Sequence, residues 1–387
     1  MKDKQNVVFD NKTEYSKDID DLLYLLTSAV NSRSPGLAQI SKMNVDLIYN
    51  LASYHSVVAI VAFALECAID LPHKYDQAKK KAIRKQALFD TERNKIFSYF
   101  SKEGIWYMPL KGVVIKEYYP KFGMREMVDN DVLCDPNHME DVKVIMEDLG
   151  FHCDLFGVDN QDVYSKDILC YEFHNSLFQA DKYSDFSEYY KDIKTRLICD
   201  QNNSYEYRFK TEDLYIYLTA HEYKHYSRGG TGLRSLLDTY LFLKRHEEQM
   251  EGCYVNGELE ELKLTEFEKM NRQLSEKAFS RMSLSDEEKQ QLMYYVTSGA
   301  HGTEEHRVSN RISSELSESN SKTTKQRYIT NRVFLRGEEL KSKHPFVYQH
   351  KVLLPFFYVY RLFNALFTRP KKVWEEFWSV VHFNNNK

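Results

Sequence analysis

The chain has 387 residues, 42% of them hydrophobic and 28% charged, a balance that supports a folded core and excludes an intrinsically disordered chain. A formal net charge of -4 excludes a global basic field able to hold long nucleic acid non-specifically. Six cysteines stand with no Cys-x-x-Cys pair among them, which argues against zinc-knuckle and thioredoxin-type sites and for reduced thiols.

The first twenty residues are polar and carry no apolar signal core. The longest apolar run, 57–65, is far shorter than the roughly 20 residues of a membrane span, so a cytoplasmic protein with no membrane span is expected. Apolar residues at helical spacing, including Leu22, Leu23, Leu25 and Leu26, predict helices over 19–100, broken at Pro35-Gly36 and Leu71-Pro72 and closed by Gly104. The texture then changes. Residues 105–110 predict a strand, Lys111-Gly112 a turn, 113–119 a short helix stopped by Pro120, and 121–127 a loop holding Gly123 and Arg125. A second strand is expected over 128–134, then a helix over 138–149 capped by Asn137. Further strands are expected over 151–158 and 168–178.

Helical patterns return at Thr211, pass through His221 and His225 to a loop with Gly229, Gly230 and Gly232, and resume over 233–245. Residues 254–300 predict charged amphipathic helices. Residues 301–325, rich in Ser, Glu, Thr and Asn, predict a loop or linker. The tail 345–383 is aromatic and apolar, with Pro355 as a break. Its rings suit core packing or a helical lid, with a membrane surface or partner groove as the alternative.

Asp129 and Asp131 stand two apart on the second expected strand, so both side chains share one face and Asn130 takes the other. Paired carboxylates repel unless a cation lies between them, and oxygen ligands of this kind suit Mg²⁺ or Mn²⁺. Val128, Val132 and Leu133 would anchor the strand in a core. A Gly112 turn before a helix lets backbone amides approach a phosphate, with Lys111 and Arg125 adding positive charge. Glu172, with His174 on its face, joins the pair if its strand lies alongside, and three carboxylates can hold two metals about 3.5–4 Å apart.

Leu110-Lys111-Gly112, Tyr119-Pro120, Arg125, Asp129-Asn130-Asp131 and Glu172-Phe173-His174 together resemble the bacterial uncharacterised nucleotidyltransferases of the polymerase-β-like superfamily. His221, His225, Arg234 and Asp238 look like that family's downstream His-x-x-x-His, glycine loop and Leu-Arg-x-x-x-Asp pattern. The resemblance covers roughly residues 85–245. It implies an α+β fold, a small mixed β-sheet nucleotidyltransferase core with helical N- and C-terminal regions. It implies two metal ions and transfer of a nucleoside monophosphate from an NTP to a hydroxyl, with release of pyrophosphate. Asp129, Asp131 and Glu172 would be the metal ligands, and Lys111 and Gly112 would face the triphosphate. Arg125, His225 and Arg234 would complete nucleotide binding, and Asp238 would orient the helical wall. The expected metal is Mg²⁺ or Mn²⁺ and the expected nucleotide ATP; the acceptor stays open among protein, RNA, sugar and small molecule. The superfamily's common Gly-Ser turn is Lys-Gly here, and Asn130 stands where an aliphatic residue is usual.

Two rival readings exist. His221-Glu222-Tyr223-Lys224-His225 is a literal His-Glu-x-x-His, which on a helix can bind Zn²⁺ with the glutamate as base of a metallopeptidase. Its metzincin extension fails at Arg228 and Thr231. A catalytically inactive nucleotide-binding or interaction protein is the other, since a fold does not fix its function. The expected organisation is a helical region over 1–100, the core over 101–200, a helical region completing the cleft over 201–300, and a linker with an aromatic helical tail over 301–387.

Overall fold

The computed structural model describes residues 15–317, 324–335, 340–341 and 344–382. The polar start at 1–14, residues 318–323 of the expected linker and Phe383 lie outside the described residues. The chain forms two compact units. The first takes in the described residues up to Tyr223 together with Leu233–Ala300; the second takes in Lys224–Gly232 and the described residues from His301 onward.

The first unit opens with helices α1 (Lys17–Val30), α2 (Leu37–Ile40), α3 (Val45–Tyr54), α4 (Val58–Leu65) and α5 (His73–Lys102). Every residue of α4 is buried, as a helix apolar on all sides must be. The longer α5 is amphipathic. Its Phe89, Arg93, Ile96, Phe97 and Phe100 are buried at spacings of three and four, and it ends before Gly104, whose φ of 78° suits a residue just past a helix.

A five-stranded mixed sheet follows, built from β1 (Tyr107–Pro109), β2 (Asn130–Cys134), β3 (His152–Val158), β4 (Gln161–Lys166) and β5 (Leu169–His174) in the order β1-β2-β5-β4-β3. Only β2 and β5 run parallel. A short helix α6 (Gly112–Ile115) lies between β1 and β2, and α7 (Met139–Asp148) between β2 and β3. One face of the sheet is core: Tyr107, Val132, Cys134, Tyr164, Tyr171 and Phe173 pack with the rings of α5 and with Val142, Ile145 and Met146 of α7. The alternation of side chains sends Asp131, Glu172 and His174 to the other face. Two local expectations are corrected. The strand begins at Asn130, and Val128 is exposed outside it instead of anchoring it in the core. The last strand stops at His174, four residues short of the expected 178.

The polar side chain of Asn130 has a buried answer. It is fully enclosed, and its Oδ1 accepts a hydrogen bond from Arg93 Nη1 of α5 at 3.1 Å. Arg93 in turn pairs with Asp90 at 2.5 Å. That bond offsets the burial of the amide oxygen, while Nδ2 is buried without a hydrogen-bond partner among the described residues.

Helix α8 (Ser184–Tyr189) and a two-stranded ribbon, β6 (Ile198–Cys199) with β7 (Tyr207–Arg208), lead to α9 (Thr211–Tyr226) and α10 (Leu233–His246). Helices α11 (Gly252–Glu261), α12 (Thr265–Phe279) and α13 (Asp286–Ser298) complete the first unit. In the second unit, α14 (Glu304–Ser317) occupies most of the stretch expected as linker. Its Val308 and Ile312, four apart, are buried, and that apolar spacing holds a helix despite the polar composition around it. Helices α15 (Thr324–Val333), α16 (Pro345–Gln349), α17 (Leu354–Thr368) and α18 (Pro370–His382) follow. Pro355 starts α17 instead of breaking it, because the first turn needs no amide donor from proline.

Candidate active site

The site grows from the antiparallel pairing of β1 with β2. Pro109 lies opposite Val132, and Leu110 N donates to Asp131 O at 3.0 Å, extending the antiparallel ladder to the turn. Lys111 then adopts φ 47° and ψ -116°, a region that favours glycine and costs another residue roughly 1–3 kcal/mol. This turn aims Lys111 back at the sheet, where its Nζ lies 2.7 Å from Asp131 Oδ1. Backbone strain of this kind recurs at binding sites, where surrounding contacts hold it in place.

The parallel pairing of β2 with β5 sets Asp131 directly opposite Glu172. His174, two residues on, brings Nε2 to 2.9 Å from Asp131 Oδ1 and 3.9 Å from Glu172 Oε2. The geometry therefore assigns the ring proton to Nε2, donated to Asp131. One ligand atom from each of Asp131, Glu172 and His174 lies within 4.8 Å of the others. Asp129 stands beside this trio, half-buried just before β2. Burial alone would raise the Asp131 carboxyl, but Lys111 and His174 outweigh it and hold the group ionised, well below its usual range. Asp129 moves the other way: burial and the Asp131 charge raise it, opposed by Lys111, Arg234 and Arg125.

A cationic wall faces the acids. Arg125 makes a two-pronged pair with Asp238 of α10, Nε to Oδ1 at 3.0 Å and Nη2 to Oδ2 at 2.7 Å. Tyr119 Oη donates to the same Asp238 Oδ1 at 2.6 Å. The third guanidinium nitrogen of Arg125 lies against Gly112, where an added Cβ would overlap it. Gly112 thus supplies close approach, in keeping with its expected place at the turn. Arg234 Nη1 donates to Glu126 O at 3.0 Å, and the Glu126 carboxylate accepts from Ala59 N at 2.8 Å in the first turn of α4. That turn favours a negative charge. The loop before Asp129 is therefore clamped between α4 and α10. Burial and the neighbouring Arg125 charge both lower Arg234, which remains a cation at any working pH.

Several site residues carried weak signals or none. His174 has its place on the Glu172 face and in the Glu172-Phe173-His174 stretch, but neither gives it a role. Lys85, one basic residue in a run on α5, donates to Val128 O at 3.0 Å and feels the Asp129 charge. Tyr217 of α9 is buried and feels the charges of Lys111 and Asp131, yet it reads as an ordinary core ring.

The His-Glu-x-x-His segment lies on α9 as expected, but Glu222 is buried among helices. It accepts from Asn271 Nδ2 at 2.8 Å and Thr239 Oγ1 at 3.1 Å, and burial pushes its carboxyl up to about 7. A peptidase base must meet solvent and a metal-bound water; this one is sealed in packing. His221 is half-buried beside Tyr217, and His225 is exposed near the end of α9 and belongs to the second unit. Among the described residues, no cluster suited to a metal includes either histidine.

The donor chemistry at the sheet fits a hard divalent cation through Asp131 and Glu172, with Asp129 alongside. Imidazole suits softer metals, and the hydrogen bond from His174 gives it a second use, that of orienting a ligand carboxylate. No curated protein and no solved structure matches the chain. A family model described as uncharacterised nucleotidyltransferase matches residues 41–280, a span that takes in the clamped loop, the strained turn, both acidic strands and α10. The chain belongs to that family and is a transferase of nucleotidyl groups.

Proposed function

We propose that the protein transfers a nucleoside monophosphate from an NTP, with ATP the expected donor, to a hydroxyl acceptor, using the sheet face bearing Asp131 and Glu172. The observation that carries this reading is the β2–β5 register, which sets two carboxylates side by side facing a cationic wall. Asp129, Asp131 and Glu172 would hold Mg²⁺ or Mn²⁺, which would supply positive charge at the phosphates and make the acceptor hydroxyl more acidic.

The chain's own residues do the rest. Lys111 and Gly112 receive the triphosphate at the turn, and Lys111 exchanges its Asp131 contact for phosphate oxygens. Arg234 and the inner nitrogen of Arg125 add charge behind it, while Asp238 fixes the plane of Arg125. His174 holds Asp131 in one rotamer through Nε2. The acceptor oxygen attacks the α-phosphorus, the bond from that phosphorus to the bridging oxygen breaks, and pyrophosphate leaves. Glu172 takes the hydroxyl proton.

The test is incubation of the purified protein with each α-labelled NTP and Mg²⁺, in the presence of candidate protein, RNA, sugar and small-molecule acceptors. Label on one acceptor with pyrophosphate release, lost in Asp131→Asn, supports the reading. Turnover unchanged in that variant overturns it.

A further inference from the structure

The aromatic tail does not close into a core. On α17, Phe356, Tyr360, Phe363 and Phe367 follow one another at spacings of three and four, and all are exposed, Phe367 by 80%. On α18, Trp374, Phe377 and Trp378 form a second such stripe, with Trp374 63% exposed. The opposite faces are engaged. Tyr358 Oη donates to Leu335 O at 2.7 Å beside α15. Val380 is buried with Val308, Ile312 and Tyr328, and Glu376 accepts from Tyr328 Oη at 2.8 Å. Each helix thus has a packed back and an apolar front, at odds with the core-packing expectation.

Charge distinguishes the occupants of such a front. Helix α17 contains no acidic residue. Residues 345–382 hold five Lys and Arg against two Glu, although the whole chain is net negative at -4. Arg369 and Lys371, at the joint between α17 and α18, are exposed, as is Lys351 before α17. Tryptophan and tyrosine with basic neighbours on an exposed amphipathic helix match the boundary layer of a lipid bilayer. A protein–protein interface core is instead depleted of charge. No helix among the described residues is long and apolar enough to cross a membrane.

We propose that the α17–α18 hairpin is a docking surface for an anionic phospholipid bilayer, on which its aromatic stripes lie in the interface with Arg369 and Lys371 at the headgroups. The purified full chain is tested by flotation with phosphatidylglycerol-containing vesicles and with pure phosphatidylcholine vesicles. The chain has three tryptophans, and Trp106 is buried, so Trp106→Phe leaves Trp374 and Trp378 as emission reporters. The expected result is binding at least about tenfold stronger to the anionic vesicles, weakened in 0.5 M salt, with a blue shift of the tail tryptophans. The Phe367→Ser, Trp378→Ser double variant should lose about tenfold or more while keeping its circular dichroism melt. Failure of the wild-type chain to float with either vesicle overturns the proposal, as does binding that survives the double variant. Concentration-dependent dimerisation abolished by that variant, without vesicle binding, assigns the face to a second copy instead.

Discussion

Two places in this chain pair a glutamate with histidine in ways that suggest metal chemistry, and they differ in what surrounds the glutamate. Glu172 sits partly exposed on a sheet face, opposite the buried Asp131, with Lys111 and His174 compensating its neighbour. Glu222 sits inside a helix bundle, met by an amide and a hydroxyl and, among the described residues, with no cation paired to it. The first arrangement holds negative charge ready beside positive charge. The second penalises it, because burial without a cation favours the neutral acid. A short motif on a helix is satisfied by local spacing alone, whereas a working cluster needs elements distant in sequence to converge.

The largest expected contrast is in turnover. Asp131→Asn or Glu172→Gln should each lower NTP turnover by about 10³-fold, while His221→Ala stays within about threefold of wild type; rates of labelled pyrophosphate release check both arms. If His221→Ala shows the larger loss, the two regions have been assigned the wrong way round. Next comes the clamp behind the acids. Asp238→Ala leaves Arg125 buried without its partner and should cost on the order of 3 kcal/mol in stability, read by urea denaturation. A loss below about 0.5 kcal/mol would show that Arg125 finds another anion.

The Glu222 environment predicts a pH dependence. Its folded value of about 7 lies above the ordinary 4.5, so the proton favours the folded state. This contribution is fully present below 4.5, is lost as pH rises towards 7 and is level above that. Glu222→Gln should therefore stabilise the protein at pH 8 by on the order of 2–3 kcal/mol and flatten the stability profile between pH 4.5 and 7. An unchanged profile would contradict the buried assignment. The smallest effect concerns close approach at the turn. Gly112→Ala pushes on an Arg125 already held by Asp238, and should raise KM for the NTP about tenfold with little change in melting temperature. An equal fall in kcat with KM unchanged would mean the turn serves the chemistry and not the binding.

Much of the sheet is legible in the sequence. Gly104, Lys111-Gly112 and Pro120 punctuate the chain, and the strand-turn-helix order between them stands in the structure. Strand β4 was not legible, because Asp162, Ser165 and Lys166 hide the alternation that buries Asp162 and Tyr164. Alternation on β2 and β5 foretold which side chains share a face, but their pairing depends on strand order, which no local pattern encodes. The union of Arg125 with Asp238 and the capping of α4 by Glu126 are tertiary for the same reason. Helix α14 was missed because composition outweighed the two apolar residues four apart that fix it. The exposed tail departs from the core-packing expectation in the opposite sense: its rings have the spacing of a core face, and only packing reveals that nothing within the second unit covers them among the described residues.

The central claim is that a divalent cation and an NTP meet at Asp131 and Glu172. Titration of Mn²⁺ into the protein with a non-hydrolysable ATP analogue, followed by electron paramagnetic resonance, tests it most directly. The account predicts a bound Mn²⁺ signal that depends on the nucleotide, is lost in the Asp131→Asn, Glu172→Gln double variant and persists in His221→Ala. Retention of the signal in the acid variant, with loss in the histidine variant, would contradict it.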